Sequence, residues 1–426
     1  MSREREKFPS TESIRRFFDR LKADFPKVEP VCKHYGRCGG CYLQDLSYED
    51  QLRVKLEFLK ELFSDRFELE GVIIPSPQPL YYRHRMDYVC AFSRMGLRMR
   101  GNYAEVVDLE ECHLISPRAF EVFRFVKGRA RELGIQDYDF IEHKGFLRYI
   151  VVREAKFTNE LMIAFTATSP PDLLQRDKLL ELMAETAQRA ESVYWLKHEG
   201  LRDHSYGEPV KILGKPYIVE KVGSYQFMIK PDVFFQSNPL LIWKAYDDIK
   251  EHVYGRALDL YCGIGTISIY VSDACESVTG VELVQSSVEA AKANAELNGV
   301  KNVKFYAQDV GEYLKRGEKF DVVIVDPPRP GMTKKIIRRL RAIKPERIVY
   351  MSCNPVTQYE DLKRLSDDYE LEKPIRAYDM FPQTYHIETL AVLRRRPKRR
   401  RRRHGEVKGR DNRVRGDSGE TRQERP

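Results

Sequence analysis

The sequence predicts an α/β protein, in which a doubly wound, Rossmann-like domain follows a central α+β domain. Three observations carry this. From about Pro231, strand-like runs alternate with helical ones, the pattern of a mainly parallel sheet. A glycine turn, Asp259-Leu260-Tyr261-Cys262-Gly263-Ile264-Gly265, follows the first of these strands. Upstream, from about Tyr82, period-two strand patterns dominate instead.

The elements follow in order. Ser10 or Thr11 can cap an amphipathic helix running to Phe25, with Ile14, Phe17, Phe18 and Leu21 on one face. A cysteine-rich loop spans Cys32 to Cys41, and a second helix, Tyr48 to Phe63, sets Leu52, Leu56, Leu59 and Phe63 in register. Asp87 to Phe92 alternates as a strand. Leu147–Glu154 and Glu160–Thr166 flank Thr158-Asn159 as a hairpin. A helix from Pro171 to Ala190 leads to a strand over Ser192–Leu196. In the last part, strands are expected at Arg256–Leu260, Ser277–Val281, Val303–Ala307, Val322–Val325, Ile348–Met351 and Thr389–Leu393, with helices such as Ser286–Asn298 and Lys334–Ile343 between them. The expected organisation is an N-terminal helix (1–31), a cysteine loop with the central domain (32–220), the doubly wound domain (221–393) and a basic tail (394–426).

The 426 residues carry a net charge of +9, placed unevenly. From Arg394 onward there are 15 Lys and Arg against 5 Asp and Glu, so the rest is close to neutral. Such a block of like charge is expected to be disordered and to attract polyanions; a solubilising tail is the plainer alternative. No apolar run is long enough to span a bilayer, and no signal peptide is seen. A cytoplasmic monomer is expected. Eight cysteines without a leader point to metal binding or catalysis rather than disulfides.

The glycine turn lets backbone approach a nucleoside closely. Two carboxylates follow it at successive strand ends: Glu282, suited to the ribose hydroxyls, and Asp309, suited to an adenine amino group. The third glycine of a dinucleotide fingerprint is replaced by Ser268, which favours S-adenosylmethionine over NAD.

Two further loops end later strands. Asp326-Pro327-Pro328-Arg329 is stiffened by its prolines, which fix Asp326. Ser352-Cys353-Asn354-Pro355 sets a cysteine at a strand's carboxyl end, the edge where ligands bind in open α/β sheets. A cysteine more often packs as a small hydrophobe. Beside a nucleoside cofactor, a thiolate can add to carbon 6 of uracil and activate carbon 5. Glu388 or His386, in Tyr385-His386-Ile387-Glu388-Thr389, can supply the base.

With Phe235-Gln236-Ser237-Asn238 these motifs make five in order, and the region from Phe234 to Leu393 resembles the S-adenosylmethionine-dependent RNA (uracil-5-)methyltransferases. The resemblance implies that Cys353 is the nucleophile, Glu388 the base, Asp326 the group holding the uracil edge near the cofactor, and Arg329 the support of the catalytic loop. It implies cofactor binding by Gln236, Tyr261, Glu282 and Asp309 around Gly263 and Gly265. Only about thirty residues precede Cys32, too few for the RNA-binding TRAM barrel of some relatives. This short form resembles the branch acting on 23S ribosomal RNA, the expected partner, with a transfer RNA T-loop uridine as the alternative. A cytosine-5 methyltransferase and a non-catalytic RNA-binding protein fit the motifs less well. Tyr81-Tyr82-Arg83-His84-Arg85 suits stacking and phosphate contact, or equally a half-exposed strand.

Cys32-x5-Cys38-x2-Cys41 is a compact thiolate set whose fourth member is expected to be Cys112, with Cys90 second. Spacing leaves zinc and an iron–sulfur cluster open. The resemblance implies a [4Fe-4S] cluster with a structural or RNA-binding role. The Cys-x3-Cys-x2-Cys spacing of radical enzymes is absent.

Overall fold

The computed structural model describes Phe8 and residues 10–397. The sequence-predicted tail therefore lies outside the described residues from Lys398 on. Arg394 and Arg395 belong instead to the last strand, Glu388–Arg395, where Arg394 pairs with Glu370 at 3.2 Å. The rise from apolar to basic sequence is thus not the end of the sheet.

Two large sheets organise the chain. The larger sheet, from here on the catalytic sheet because it carries the strand ends at which the sequence places the Gly263 turn and Cys353, has nine strands. Its order is Leu69–Ile74, Ile375–Tyr378, Glu388–Arg395, Arg347–Ser352, Val322–Val325, Arg256–Leu260, Ser277–Glu282, Val303–Ala307, with Tyr369–Leu371 also beside Glu388–Arg395. The five strands between Arg256 and Ser352 pair in parallel, while Glu388–Arg395 is antiparallel to Arg347–Ser352. Strand order reverses between Arg256–Leu260 and Val322–Val325, so a crevice opens at their carboxyl ends. Both the glycine turn and the Asp326 loop leave from that point.

Period two sorts the strand residues. Leu258, Leu260, Val323, Val325 and Ile348 face one core, while Ala257, Val322, Ile324 and Val349 face the other. Helix α1 (Thr11–Lys22) and helix α2 (Tyr48–Phe63) close the first core with Phe18, Phe58, Leu59 and Leu62. Helix α1 starts where Ser10 accepts from the Ser13 amide and Ser13 reciprocates, a capping box. It is three residues shorter than its apolar run suggested: from the Ala23 cap to Phe25 each amide donates to the carbonyl three residues back, which tightens the chain out of the α-helix. Lys55 of α2 is buried against Asp379 at 2.5 Å and also donates to the Phe381 carbonyl at 3.1 Å. That pair holds the Phe381–His386 segment, which the site uses.

The central sheet has seven strands: Glu208–Gly214, Ser192–Lys197, Leu161–Ala167, Leu147–Glu154, Arg85–Ala91, Arg94–Met99 and Asn102–Asp108. Every residue of Leu147–Glu154 is buried, because both faces are covered. Tyr88, Ile150, Ile163 and Trp195 meet helices Pro117–Glu132 and Leu173–Thr186 on one side. Val89, Tyr149, Met162 and Tyr194 join the catalytic core on the other, through the hairpin Ile218–Val222/Tyr225–Ile229. In the Tyr81–Arg85 motif alternate residues differ: Tyr81, Arg83 and Arg85 are half-buried, and Arg83 lines the main cavity. Tyr82 and His84 are fully buried, Tyr82 donating to the Pro382 carbonyl at 3.0 Å, so these two residues cannot stack on RNA and instead tie the two sheets together.

Candidate active site

The switch-point crevice is a cavity of about 970 Å³. It is lined by Gln236, Tyr261, Gly263, Glu282, Asp309, Asp326, Arg329, Cys353 and Glu388, which brings together every catalytic and cofactor-binding residue expected from sequence except Gly265. Gly265 acts behind the wall. It caps the following helix at φ 80°, and a Cβ there would meet the Phe305 ring at 2.8 Å. Gly263, also left-handed at φ 53°, has nothing within 4 Å of a built Cβ. One glycine is needed for packing and the other leaves open space for a ligand. Tyr261 shares the left-handed conformation at φ 67°, so the turn carries a non-glycine residue where strain is expected.

Glu282 fixes this turn. Its two oxygens accept from the Gly263 amide at 3.2 Å and the Val284 amide at 2.9 Å. Asp309 spends one oxygen on the Glu312 amide at 2.9 Å, capping the short helix behind it. Asp259 lies beneath the turn, fully buried, and takes a 2.5 Å hydrogen bond from Ser268. The serine that replaces a dinucleotide glycine therefore has its own task, which the sequence alone did not show. Burial lifts the Asp259 carboxyl to about 7.

The opposite wall carries the reacting groups. Gln236 donates to Asp326 at 3.1 Å. Burial, with Asp259 nearby, lifts Asp326 to about 7. Glu388 is raised well above the carboxylate range by burial and then by Asp326, and its Oε1 has no hydrogen-bond partner among the described residues. Burial pushes the Cys353 thiol up to about 12, with Glu388 and Asp326 adding to the rise and Arg329 opposing it. The site thus holds a neutral thiol beside at least one protonated carboxyl, with one cation able to favour thiolate.

Asn354 and Thr357, at the start of helix Pro355–Leu365, donate to the Arg329 carbonyl at 2.9 and 3.1 Å. The cysteine loop and the Asp-Pro-Pro-Arg loop are therefore one rigid unit. Sequence reasoning missed Arg83, Tyr206, Phe234 and Phe381, which also line the cavity. Arg83 stood in a motif read for another purpose. Tyr206 comes from a loop whose carbonyls at His198, Gly200 and Arg202 are gathered by the buried Arg148 guanidinium, an arrangement with no local sequence signal. Arg153, also buried, donates to the Pro231 and Val233 carbonyls and so anchors the loop leading to Phe235 and Gln236.

The four expected metal ligands, Cys32, Cys38, Cys41 and Cys112, line a second, small cavity. Cys90 does not line it; it is buried in the helix-facing core of the central sheet. The Gly40 amide donates to Cys38 Sγ at 3.4 Å, and Gln44 Nε2 lies 3.5 Å from Cys41 Sγ. Burial raises all four thiols, Cys38 to about 12. The cavity measures only about 20 Å³, the room of one water molecule. Among the described residues no three His, Cys, Asp or Glu side chains are grouped so as to hold a metal ion.

The parallel sheet, the glycine turn at its switch point and the carboxylates at the next two strand ends define a methyltransferase of the S-adenosylmethionine-dependent class. The tRNA (uracil-5-)methyltransferase family profile matches residues 210–396. A tRNA (uracil(54)-C(5))-methyltransferase of Pyrococcus furiosus is 36% identical over 376 residues, 88% of this chain and 87% of that protein. An uncharacterized RNA methyltransferase of Thermotoga maritima is 34% identical over 88% of this chain and 86% of its own. The crystal structure of the Pyrococcus abyssi tRNA (uracil-54, C5)-methyltransferase with S-adenosyl-L-homocysteine superposes with a TM-score of 0.71 at 33% identity, covering 84% of this chain and 86% of that one. The chain belongs to the tRNA (uracil-5-)methyltransferase family. Nothing in these relatives supports the ribosomal preference expected from the short N-terminal region. Among the described residues, no helix is long and apolar enough to cross a membrane.

Proposed function

We propose that this protein transfers a methyl group to carbon 5 of a uridine in transfer RNA, through a covalent adduct between Cys353 and carbon 6. The observation that carries the reading is the shared cavity, where Cys353, Glu388 and Asp326 face the Tyr261–Gly263 turn, Glu282 and Asp309. The transfer RNA substrate rests on the named relatives rather than on the cavity. S-adenosylmethionine supplies an electrophilic methyl group when bound.

Each residue then has a task. Asp326 hydrogen-bonds the uracil edge and is itself oriented by Gln236. Arg329 favours the thiolate as Cys353 gives up its proton to solvent water. The Cys353 sulfur adds to carbon 6, and the electron pair of the 5,6 double bond moves onto carbon 5 and oxygen 4. Carbon 5 takes the methyl group and still bears its hydrogen. Glu388, once it has released its own proton to solvent water, removes the carbon-5 proton; the pair returns to the 5,6 bond and expels the Cys353 thiolate. The target base must leave its stack to reach Cys353, at about a few kcal/mol.

We further propose that Cys32, Cys38, Cys41 and Cys112 hold a [4Fe-4S] cluster with a structural role. Their convergence on one cavity and the amide donor to Cys38 support this; the small volume requires the thiols to move apart on loading.

The reading is tested with transfer RNA tritiated at uracil carbon 5. Tritium release that needs S-adenosylmethionine and is abolished by Cys353→Ala supports it. Release from large-subunit ribosomal RNA alone would transfer the activity to that substrate, and no release from either would end the proposal.

A further inference from the structure

Cys353 has a second approach. A separate cavity of about 160 Å³ reaches it from the far side of the Arg329–His386 pair. The walls are Thr11 and Ile14 of α1, Phe58 of α2, the Tyr385 and His386 rings, and Pro355 and Val356 at the start of the helix after Cys353. Nothing in the methyl-transfer chemistry uses this space.

We infer that it is a base subsite, receiving a single-ring nucleobase from the nucleotide next to the target uridine in the substrate RNA. This inference rests on the reading of the protein as an RNA methyltransferase. Three observations favour such an occupant. The first is size, since a cavity of roughly 150 Å³ has room for one six-membered ring, and the mixed lining here suits a base with polar edges rather than a hydrocarbon. The second is lining. Tyr385 and His386 lie tilted with ring centroids 4.4 Å apart, and Phe58 adds an apolar floor, so a flat base meets π surfaces. The third is continuity. Arg329, Cys353 and His386 line both cavities, so a base here would be parted from a base on the Cys353 sulfur only by these shared walls.

Charge is arranged to match. The Arg15 guanidinium of α1 stands 5.8 Å from the centre of the Tyr385 ring and is hydrogen-bonded to Tyr103 and Tyr385. Arg329 closes the other end, with His386 held neutral by burial and by Arg329 itself. A phosphate linking the two bases would pass Arg329, which lines both cavities. Helix α1 thereby becomes a recognition element that the methyl-transfer core does not itself contain.

The test couples a filled cavity to a missing base. The full-length protein, and the variants Ile14→Trp and Thr11→Trp, are assayed for methyl transfer on a stem–loop RNA. That RNA is intact, or abasic at the residue 5′ or 3′ of the target. In the unaltered protein, loss of one flanking base should lower kcat/KM by about tenfold, in the range of one base–aromatic stack. In the tryptophan variants, intact RNA should fall to that level and the abasic residue should cost nothing further. S-adenosylhomocysteine affinity should stay unchanged. An abasic penalty equally large in the variants, or absent on both flanks in the unaltered protein, overturns the subsite. Two α1 positions are used so that a folding defect at one, read from its Tm, leaves the other to decide. Failure of methyl transfer on intact RNA by the unaltered protein counts instead against the functional reading.

Discussion

Arg329 Nη2 lies 2.6 Å from His386 Nδ1 and 3.0 Å from Nε2, so the cation nearest Cys353 rests on a neutral imidazole rather than on a carboxylate. This leaves its charge unneutralised. A carboxylate partner at that point would cancel the field that favours the thiolate. Replacing Arg329 by Gln should therefore raise the Cys353 pKa above its value of about 12. Alkylation of Cys353 by iodoacetamide at pH 8 should slow by about tenfold, following the fall in thiolate fraction, and kcat should fall with it. Arg329→Lys keeps the charge without the planar fork and should recover part of the alkylation rate. Alkylation as fast in Arg329→Gln as in the unaltered protein would contradict this account.

Much of that arrangement was legible in the sequence, because it depends on strand ends. Once the strands at Arg256–Leu260, Ser277–Glu282, Val322–Val325 and Arg347–Ser352 are placed, a parallel sheet delivers Gly263, Glu282, Asp326 and Cys353 to one edge. Each sits within a few residues of an apolar run that announces its strand. What stayed hidden depends on distant segments. Leu69–Ile74 joins the catalytic sheet parallel to Ile375–Tyr378, some three hundred residues away, and neither strand has a period that names its partner. His386 was readable as a base, yet its burial against Arg329 leaves it a hydrogen-bond acceptor. Tyr82 and His84 looked like surface chemistry because aromatic and basic residues suit RNA and buried struts alike.

The Ser268–Asp259 bond should be a pH-dependent part of the fold. Asp259 titrates near 7 in the folded protein against an ordinary value of 3.8. The folded state therefore binds this proton more tightly. Its stabilising share is complete below pH 3.8 and is lost as pH rises to 7. Ser268 offsets part of the cost of the charged form with its 2.5 Å hydrogen bond. Ser268→Ala should destabilise the protein by about 1–3 kcal/mol at pH 8, where the buried carboxylate loses its donor. At pH 5 the carboxyl is protonated and the loss should be clearly smaller. Urea denaturation at the two pH values measures the difference; an equal loss at both would contradict the assignment.

The cysteine cavity makes a spectroscopic prediction. Protein purified without oxygen should be brown and carry about four iron atoms per chain in the [4Fe-4S] case. Cys38→Ser should remove the visible absorbance, since Cys38 is the most buried member and receives the Gly40 amide. Cys90→Ser should keep it, because Cys90 does not line this cavity. Stoichiometric zinc in a colourless protein, or no metal at all, would remove the cluster from the account.

The basic tail should contribute affinity without sequence preference, and the structure fixes where to cut. Ending the chain at Leu393 would remove Arg394 and Arg395, which pair with Glu370 and with the Lys344 carbonyl. The cut belongs after Pro397, leaving the sheet intact. Residues 398–426 then take with them 12 Lys and Arg and 5 Asp and Glu. Each phosphate neutralised on single-stranded RNA steepens the plot of log affinity against log salt by about 0.7. Six such contacts, half the cations available, would make the full chain steeper by about four units. Truncation should therefore weaken RNA binding most at low salt and leave S-adenosylhomocysteine binding unchanged. Filter binding from 50 to 300 mM salt measures the slope. A truncated protein with the full-length slope would show that these arginines touch no phosphate of the substrate.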